Sequence, residues 1–201
     1  MTLRQTTRRR RRPEVAEQEI LDAATLLFSR HVSHEVSVSE VMRHTTLSRK
    51  SFYVYFKDRH DLLTRLVEPI RAESDAMVEM LRDTRRGDPA AAGRACLRAH
   101  ARLYLDHGPL LRALASASAQ DHDAKAAWDT FVDPVVAALT ELIQEETSEG
   151  RSRGLDPEPT ARALVGMNIQ YFLDQIVDKH HTDIDALADV LLTVWVRTLY
   201  G

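Results

Sequence analysis

Two short helical segments joined by three residues constrain this chain more than any other feature. Ser37, followed three residues on by Glu40, reads as a capping box, with Val38, Val41 and Met42 as the apolar face behind it. This predicts a brief helix over 38–44. Thr45, Thr46 and Leu47 form a tight connection, and Ser48 is the N-cap of a second short helix over 49–55. Short helix, tight turn, short helix is the geometry that lays a second helix in the major groove of DNA.

The composition of the second helix fits that role. Phe52 and Phe56 stand four residues apart, on one face, and are expected to pack inward on Ile20, Leu27 and Val41. Arg49, Lys50, Ser51 and Tyr53 then point away from the core, and Lys57 and Arg59 follow at the exit. Cations at a helix N-terminus suit phosphate, Arg49 or Lys50 suits a guanine edge, and the hydroxyls of Ser48, Tyr53 and Tyr55 suit phosphate oxygens. With Ser39 and Thr46 from the preceding helix and turn, these residues are the candidate DNA contacts. A solvated basic helix beside an ordinary aromatic core would explain such a stretch in isolation. Cations, hydroxyls and an exposed tyrosine between two short capped helices favour DNA.

The remaining periodicity is helical, and no segment alternates as a strand would. With only seven glycines and seven prolines in 201 residues, the class is all-α. Helix one is predicted from Pro13 to near Arg30, with Ile20, Ala23, Ala24, Leu27 and Phe28 at its core spacing. A fourth helix starts at Asp58 and Asp61 and runs to about Arg82, kinked at Pro69. Gly87, Asp88 and Pro89 break the chain. A helix over 90–106 is expected to stop at His107, Gly108 and Pro109, with a short helix from Leu110 after it. A longer one beyond Gln120 is interrupted by Pro134. Glu149 to Pro159 reads as a loop, and helices over 160–179 and 184–199 close the chain. The division is a disordered basic tail at 1–12, a helix-turn-helix domain at 13–59 and a helical ligand-binding and dimerisation domain at 60–201.

Charge follows that division. Through residue 59 there are twelve Lys/Arg against seven Asp/Glu, a net +5; the rest carries fifteen against twenty-three, a net −8. Only the first part is suited to a polyanion. Arg4 and the run Arg8 to Arg12, with no acid among them, extend it. The basic start lacks a following apolar stretch, no apolar run spans a bilayer, and Cys96 is the single cysteine. These point to the cytoplasm, with no membrane and no internal disulfide.

The blocks Ile20 to Phe28, Ser37 to Val41 and Leu47 to Leu63 resemble the TetR family of bacterial regulators. The resemblance implies a three-helix DNA-binding head on a helical ligand and dimer domain. The chain departs from the family pattern at His31, Val32, Met42, Thr46 and Arg59. Further on, Ala127 to Phe131, Ala163 to Asn168 and Val194 to Gly201 look like the EthR-type repressors of that family. That subgroup takes up its ligand in a long apolar tunnel, and Trp128, Asn168 and Trp195 match tunnel residues there.

The candidate ligand set is therefore Leu103, Leu111, Trp128, Phe131, Val132, Met167, Asn168, Tyr171, Phe172 and Trp195. Each aromatic taken singly is better explained as core. Asn168 decides for the group, because a lone amide in an apolar helix needs a partner: a ligand, a neighbouring helix or the dimer seam. Ile184, Leu187, Val190, Leu191, Val194, Trp195 and Leu199 cover more than one stripe of the last helix. A helix apolar on several sides implies a second partner, expected to be another copy of the chain about a two-fold axis. Asp174, Asp178, His180 and His181 invite a metal-dependent enzyme, but no ligand spacing supports one, and a solvated helix end explains them. The expected function is a homodimeric repressor of double-stranded operator DNA, released by a small apolar effector, with no cofactor, no metal and no catalysis. A ligand-responsive activator is the alternative, and an architectural DNA-binding protein without a ligand is disfavoured by the aromatic C-terminal helices.

Overall fold

The computed structural model describes residues 13–28, 36–83 and 89–201. The arginine tail, the end of helix one at Arg30, His31, Val32 and the Gly87–Asp88 break lie outside the described residues. Every regular element among those described is helical. The head holds α1 (Pro13–Phe28), α2 (Val38–Arg43) and α3 (Arg49–Tyr55). Ile20, Ala24, Leu27, Phe28, Val41, Met42, Phe52 and Phe56 form its buried centre, which is the packing the spacing of these residues demands.

Local chemistry sets the ends of these short helices. Ser37 Oγ accepts from Glu40 N at 3.2 Å, while the Glu40 carboxylate pairs with Arg43 and not back across the cap. Ser48 occupies the N-cap of α3 without a side-chain cap; its hydroxyl lies 3.0 Å from Ser51 Oγ. Asp58 Oδ1 accepts from Asp61 N at 2.9 Å and opens α4 (Arg59–Asp83). This helix starts in the head and runs 25 residues into the body, about 38 Å at the usual rise.

The body consists of α4, α5 (Pro89–Ser118), α6 (His122–Ser148), α7 (Pro157–Phe172) and α8 (Ile184–Leu199) around one core. Here the structure corrects the expected break at His107–Pro109, because α5 continues through Pro109. A proline inside a helix forfeits one backbone hydrogen bond, about 3 kcal/mol. Leu103, Tyr104, Leu110, Leu111 and Leu114 are buried on both sides of it, and that packing holds the helix together. Pro134 is likewise contained within α6. The loop before α7 is shorter than expected, since Pro157 and Pro159 fall in the first turn, where a missing N–H is harmless.

The helix expected over 160–179 is not uniform. After Phe172 it widens into a π-helical segment, Leu173–Asp178, which His180 ends in the left-handed region at φ 55°. Gly108 makes room for that segment on α5: a Cβ there would lie 2.6 Å from Val177 Cγ2. No helix among the described residues is long and apolar enough to cross a membrane.

Candidate functional site

The recognition surface is built on α3. With Phe52 and Phe56 buried, Arg49, Lys50, Tyr53, Val54 and Lys57 are exposed on one side of the head. Tyr53 stands edge-on to Phe52, ring centroids 5.3 Å apart, so its ring is braced while its hydroxyl end stays in solvent. Ser39 and Ser48 are exposed, Ser51 and Tyr55 are half-buried, and Tyr55 packs on the core.

Two of the candidate contacts are tied into the fold. Thr46 donates to Glu19 Oε1 through its backbone N at 2.5 Å and its hydroxyl at 2.7 Å, which fastens the turn to α1. The Arg59 guanidinium faces inward: Nε donates to the Val36 carbonyl at 3.0 Å and Nη1 to Asp121 Oδ2 at 2.6 Å. Its side chain is 18% exposed, so Arg59 departs from the expectation of a phosphate contact. The same Asp121 caps α6 by accepting from Ala124 N at 2.9 Å. Burial opposes its charge, but the Ala124 amide and the Arg59 cation hold its carboxyl below the usual range. Head and body are therefore tied by Arg59–Asp121 as well as by the continuous α4, and α1 also packs against α5.

In the body, the candidate ligand residues divide into groups. Leu103, Leu111, Phe131, Asn168, Phe172 and Trp195 are buried, while Trp128, Val132, Met167 and Tyr171 are half-buried against them. Trp128 and Phe131 touch, centroids 5.5 Å apart. Asn168 finds its partner inside the chain: Oδ1 accepts from Trp195 Nε1 at 3.2 Å and joins α7 to α8. Replacing Asn168 by leucine leaves that indole N–H buried and unpaired, so we expect a loss of about 1–3 kcal/mol in urea unfolding. Unchanged stability would mean the bond contributes nothing. Beside Trp195 lies a cavity of about 30 Å³, bounded by Leu81, Leu142, Leu192 and Leu199. That is room for a few waters at most, against roughly 300 Å³ or more for a drug-sized ligand.

Sequence reasoning missed a polar cluster deeper in the body. His100 and Tyr104, one turn apart on α5, enclose Phe172 with ring centroids 5.3–5.6 Å apart. Ser74 of α4 is buried too. His100 Nε2, Tyr104 OH and Ser74 Oγ are buried with no hydrogen-bond partner among the described residues. Burial alone pushes the His100 imidazole down to about 4, and burial raises the Tyr104 hydroxyl against the opposing pull of the Arg112 cation. Orphaned polar groups in a core are costly, and they give an incoming ligand something to bond. The signal was available in the sequence as polar residues at 100 and 104 on the apolar stripe of Leu97 and Leu111.

The acidic end of α7 is engaged otherwise. Asp174 pairs with Lys179 at 2.7 Å, Asp178 pairs with Arg112, and His180 and His181 are exposed. Among the described residues no group of three His, Cys, Asp or Glu stands close enough to hold a metal ion. Arg94 and Arg98 are drawn to Asp189 and Asp185, and burial pushes the Cys96 thiol up to about 12.

Comparison with known proteins agrees with this layout. Residues 20–66 match the family described as bacterial regulatory proteins, tetR family, and residues 93–201 match the C-terminal domain of transcriptional regulator EthR. The HTH-type transcriptional regulator EthR of Mycolicibacterium smegmatis is 24% identical over 198 residues, 96% of this chain and 91% of that protein. Its Mycobacterium tuberculosis counterpart is 25% identical over 200 residues, covering 96% and 92%. Among solved structures, NalD of Pseudomonas aeruginosa, the secondary repressor of the MexAB-OprM multidrug efflux pump, shares the fold with a TM-score of 0.75. It is 21% identical over 94% of this chain and 98% of its own. FadR of Bacillus subtilis, solved with stearoyl-CoA, has a TM-score of 0.68 at 18% identity over 88% and 96%. A helix-turn-helix head with a cationic outer face and an EthR-type body thus make this chain a member of the TetR family of DNA-binding transcriptional regulators.

Proposed function

We propose that the protein is a homodimeric repressor that grips a two-fold operator with its two α3 helices and releases it when a small, mostly apolar effector enters the body. The observation that carries the DNA half is the outer face of α3, where Arg49, Lys50, Tyr53 and Lys57 are exposed over a buried Phe52–Phe56 floor. Lys50→Ala and Tyr53→Ala are expected to lower operator affinity about 5–150-fold each at fixed salt, with helix content unchanged, in line with ~1–3 kcal/mol per good base or phosphate contact. Unchanged affinity in both variants would remove α3 from the interface.

Release follows from how closely the layer around Trp195 is packed. A cavity of about 30 Å³ beside Trp195 admits no effector without displacement of helices. Filling the layer among Trp128, Phe131, Asn168, Phe172 and Trp195 must therefore move α7 or α8 against α5 and α6. Asp121 at the start of α6 and the continuous α4 carry such movement to the head. Two recognition helices must sit ~34 Å apart, or a multiple, to enter successive major grooves, so a small change in separation breaks the fit. An effector acts only through its preference for the released form; ~100-fold corresponds to about 2.7 kcal/mol.

The orphaned His100, Tyr104 and Ser74 support an effector with a hydrogen-bonding group on an apolar body. The stearoyl-CoA found with a neighbour of the same fold also has a long apolar chain and a polar head. Operator affinity is to be compared with and without a compound that raises the melting temperature. A compound that binds in the body and leaves operator affinity unchanged refutes the release mechanism.

A further inference from the structure

Val54 is 74% exposed, more than any other large apolar side chain among the described residues. Its position on α3 follows from the helix turning about 100° per residue. Measured from buried Phe52, Lys50 and Val54 both fall within about 20° of the directly outward direction. Arg49 and Tyr53 flank one side of this ridge, Ser51 and Tyr55 the other. Lys50 and Val54 are therefore the side chains that protrude furthest where α3 faces a major groove.

Val54 does nothing for the fold. It is absent from the packed core, and a β-branched residue at an exposed helix position is disfavoured by its restricted χ1. Its two methyl groups can neither donate to nor accept from a base edge. The one apolar group on the floor of the major groove is the C5-methyl of thymine. Lys50, four residues and ~6 Å earlier, lies one to two base-pair steps away at ~3.4 Å per step, so both side chains can work within one half-site.

We propose that Val54 is a specificity residue that reads a thymine methyl group in each half-site of the operator. The inference rests on α3 being the recognition helix, as argued above. Burying one methyl group is worth about fourfold in affinity, from ~0.8 kcal/mol per CH₂.

The test starts from a duplex selected out of a random pool by the full-length protein. Each thymine is replaced in turn by deoxyuridine, which removes the methyl and nothing else. One thymine per half-site is expected to lose about fourfold in affinity on that exchange. In Val54→Ala, which keeps a strong helix former at an exposed site, both half-sites lose the contact, so the thymine duplex is expected to bind about 15-fold more weakly and the exchange to become neutral. If no thymine is sensitive, or if the sensitivity persists undiminished in Val54→Ala, the assignment to Val54 is overturned while DNA binding by α3 stands. Selection that enriches no duplex overturns both.

Discussion

Val190→Asp is expected to yield a folded monomer whose operator affinity is at least ~100-fold below that of the parent protein. Along α8, Leu187, Leu191, Trp195 and Leu199 face inward and are buried. Val190 and Val194 lie on another side of the helix, 49% and 37% exposed, and Ala186 is exposed as well. Small and branched apolar groups on a last helix, open to water in one chain, are what a second copy about a two-fold axis would cover. Each valine withdrawn from water contributes about 1.5 kcal/mol, and symmetry counts it twice. An aspartate at 190 places a carboxylate in that seam from both sides, unpaired and desolvated. Because the position is exposed, the isolated fold has no reason to change. Two linked heads bind a two-fold operator ~10²–10⁴ times better than one, so dissociation of the seam removes that gain. Sedimentation velocity and operator titration on the same preparation decide the matter. A Val190→Asp protein that remains dimeric and binds as before would place the seam elsewhere.

The head was far more legible in the sequence than the body, and the reason is the range of the signals. The starts of α2, α3 and α4 are announced by Ser37, Ser48 and Asp58 within a few residues of the helices they open, so their boundaries follow from local chemistry. In the body, local and distant forces disagree. Gly108 and Pro109 carry every mark of a helix stop, yet α5 passes through them because the core on both sides and the notch against Val177 outweigh the lost backbone bond. The π-helical segment at 173–178 has no distinctive composition and exists only in that packing. Asn168 was recognisable as an amide in need of a partner, but its partner, Trp195, is 27 residues away. Arg59 looked like a phosphate contact because nothing near it in sequence suggests Asp121, which is 62 residues on.

His100→Phe is expected to be more stable than the parent below pH 6.5 and to respond less to any effector that uses the cluster. The imidazole is fully enclosed, and burial alone holds it down to about 4, against about 6.5 when unfolded. Between those values the unfolded chain binds a proton that the folded chain refuses. Stability therefore has its full value above pH 6.5 and falls as the pH drops toward 4, at up to ~1.4 kcal/mol per unit and about 3 kcal/mol in all. The paired carboxylates do not share that window. Asp121 and Glu146 are held below the usual carboxylate range by Ala124 with Arg59 and by Arg151, so what they contribute is lost only at lower pH. Phenylalanine fits the aromatic layer of Tyr104 and Phe172, removes the orphaned Nε2 and cannot titrate. Urea unfolding of both proteins from pH 7.5 to 4.5 should show a steep fall for the parent and a shallow one for the variant. Parallel slopes would mean that His100 is protonated in the fold. A variant gaining stability while its operator release by an effector weakens would place the orphaned polar groups on the effector's side of the balance, a stability deficit kept for function.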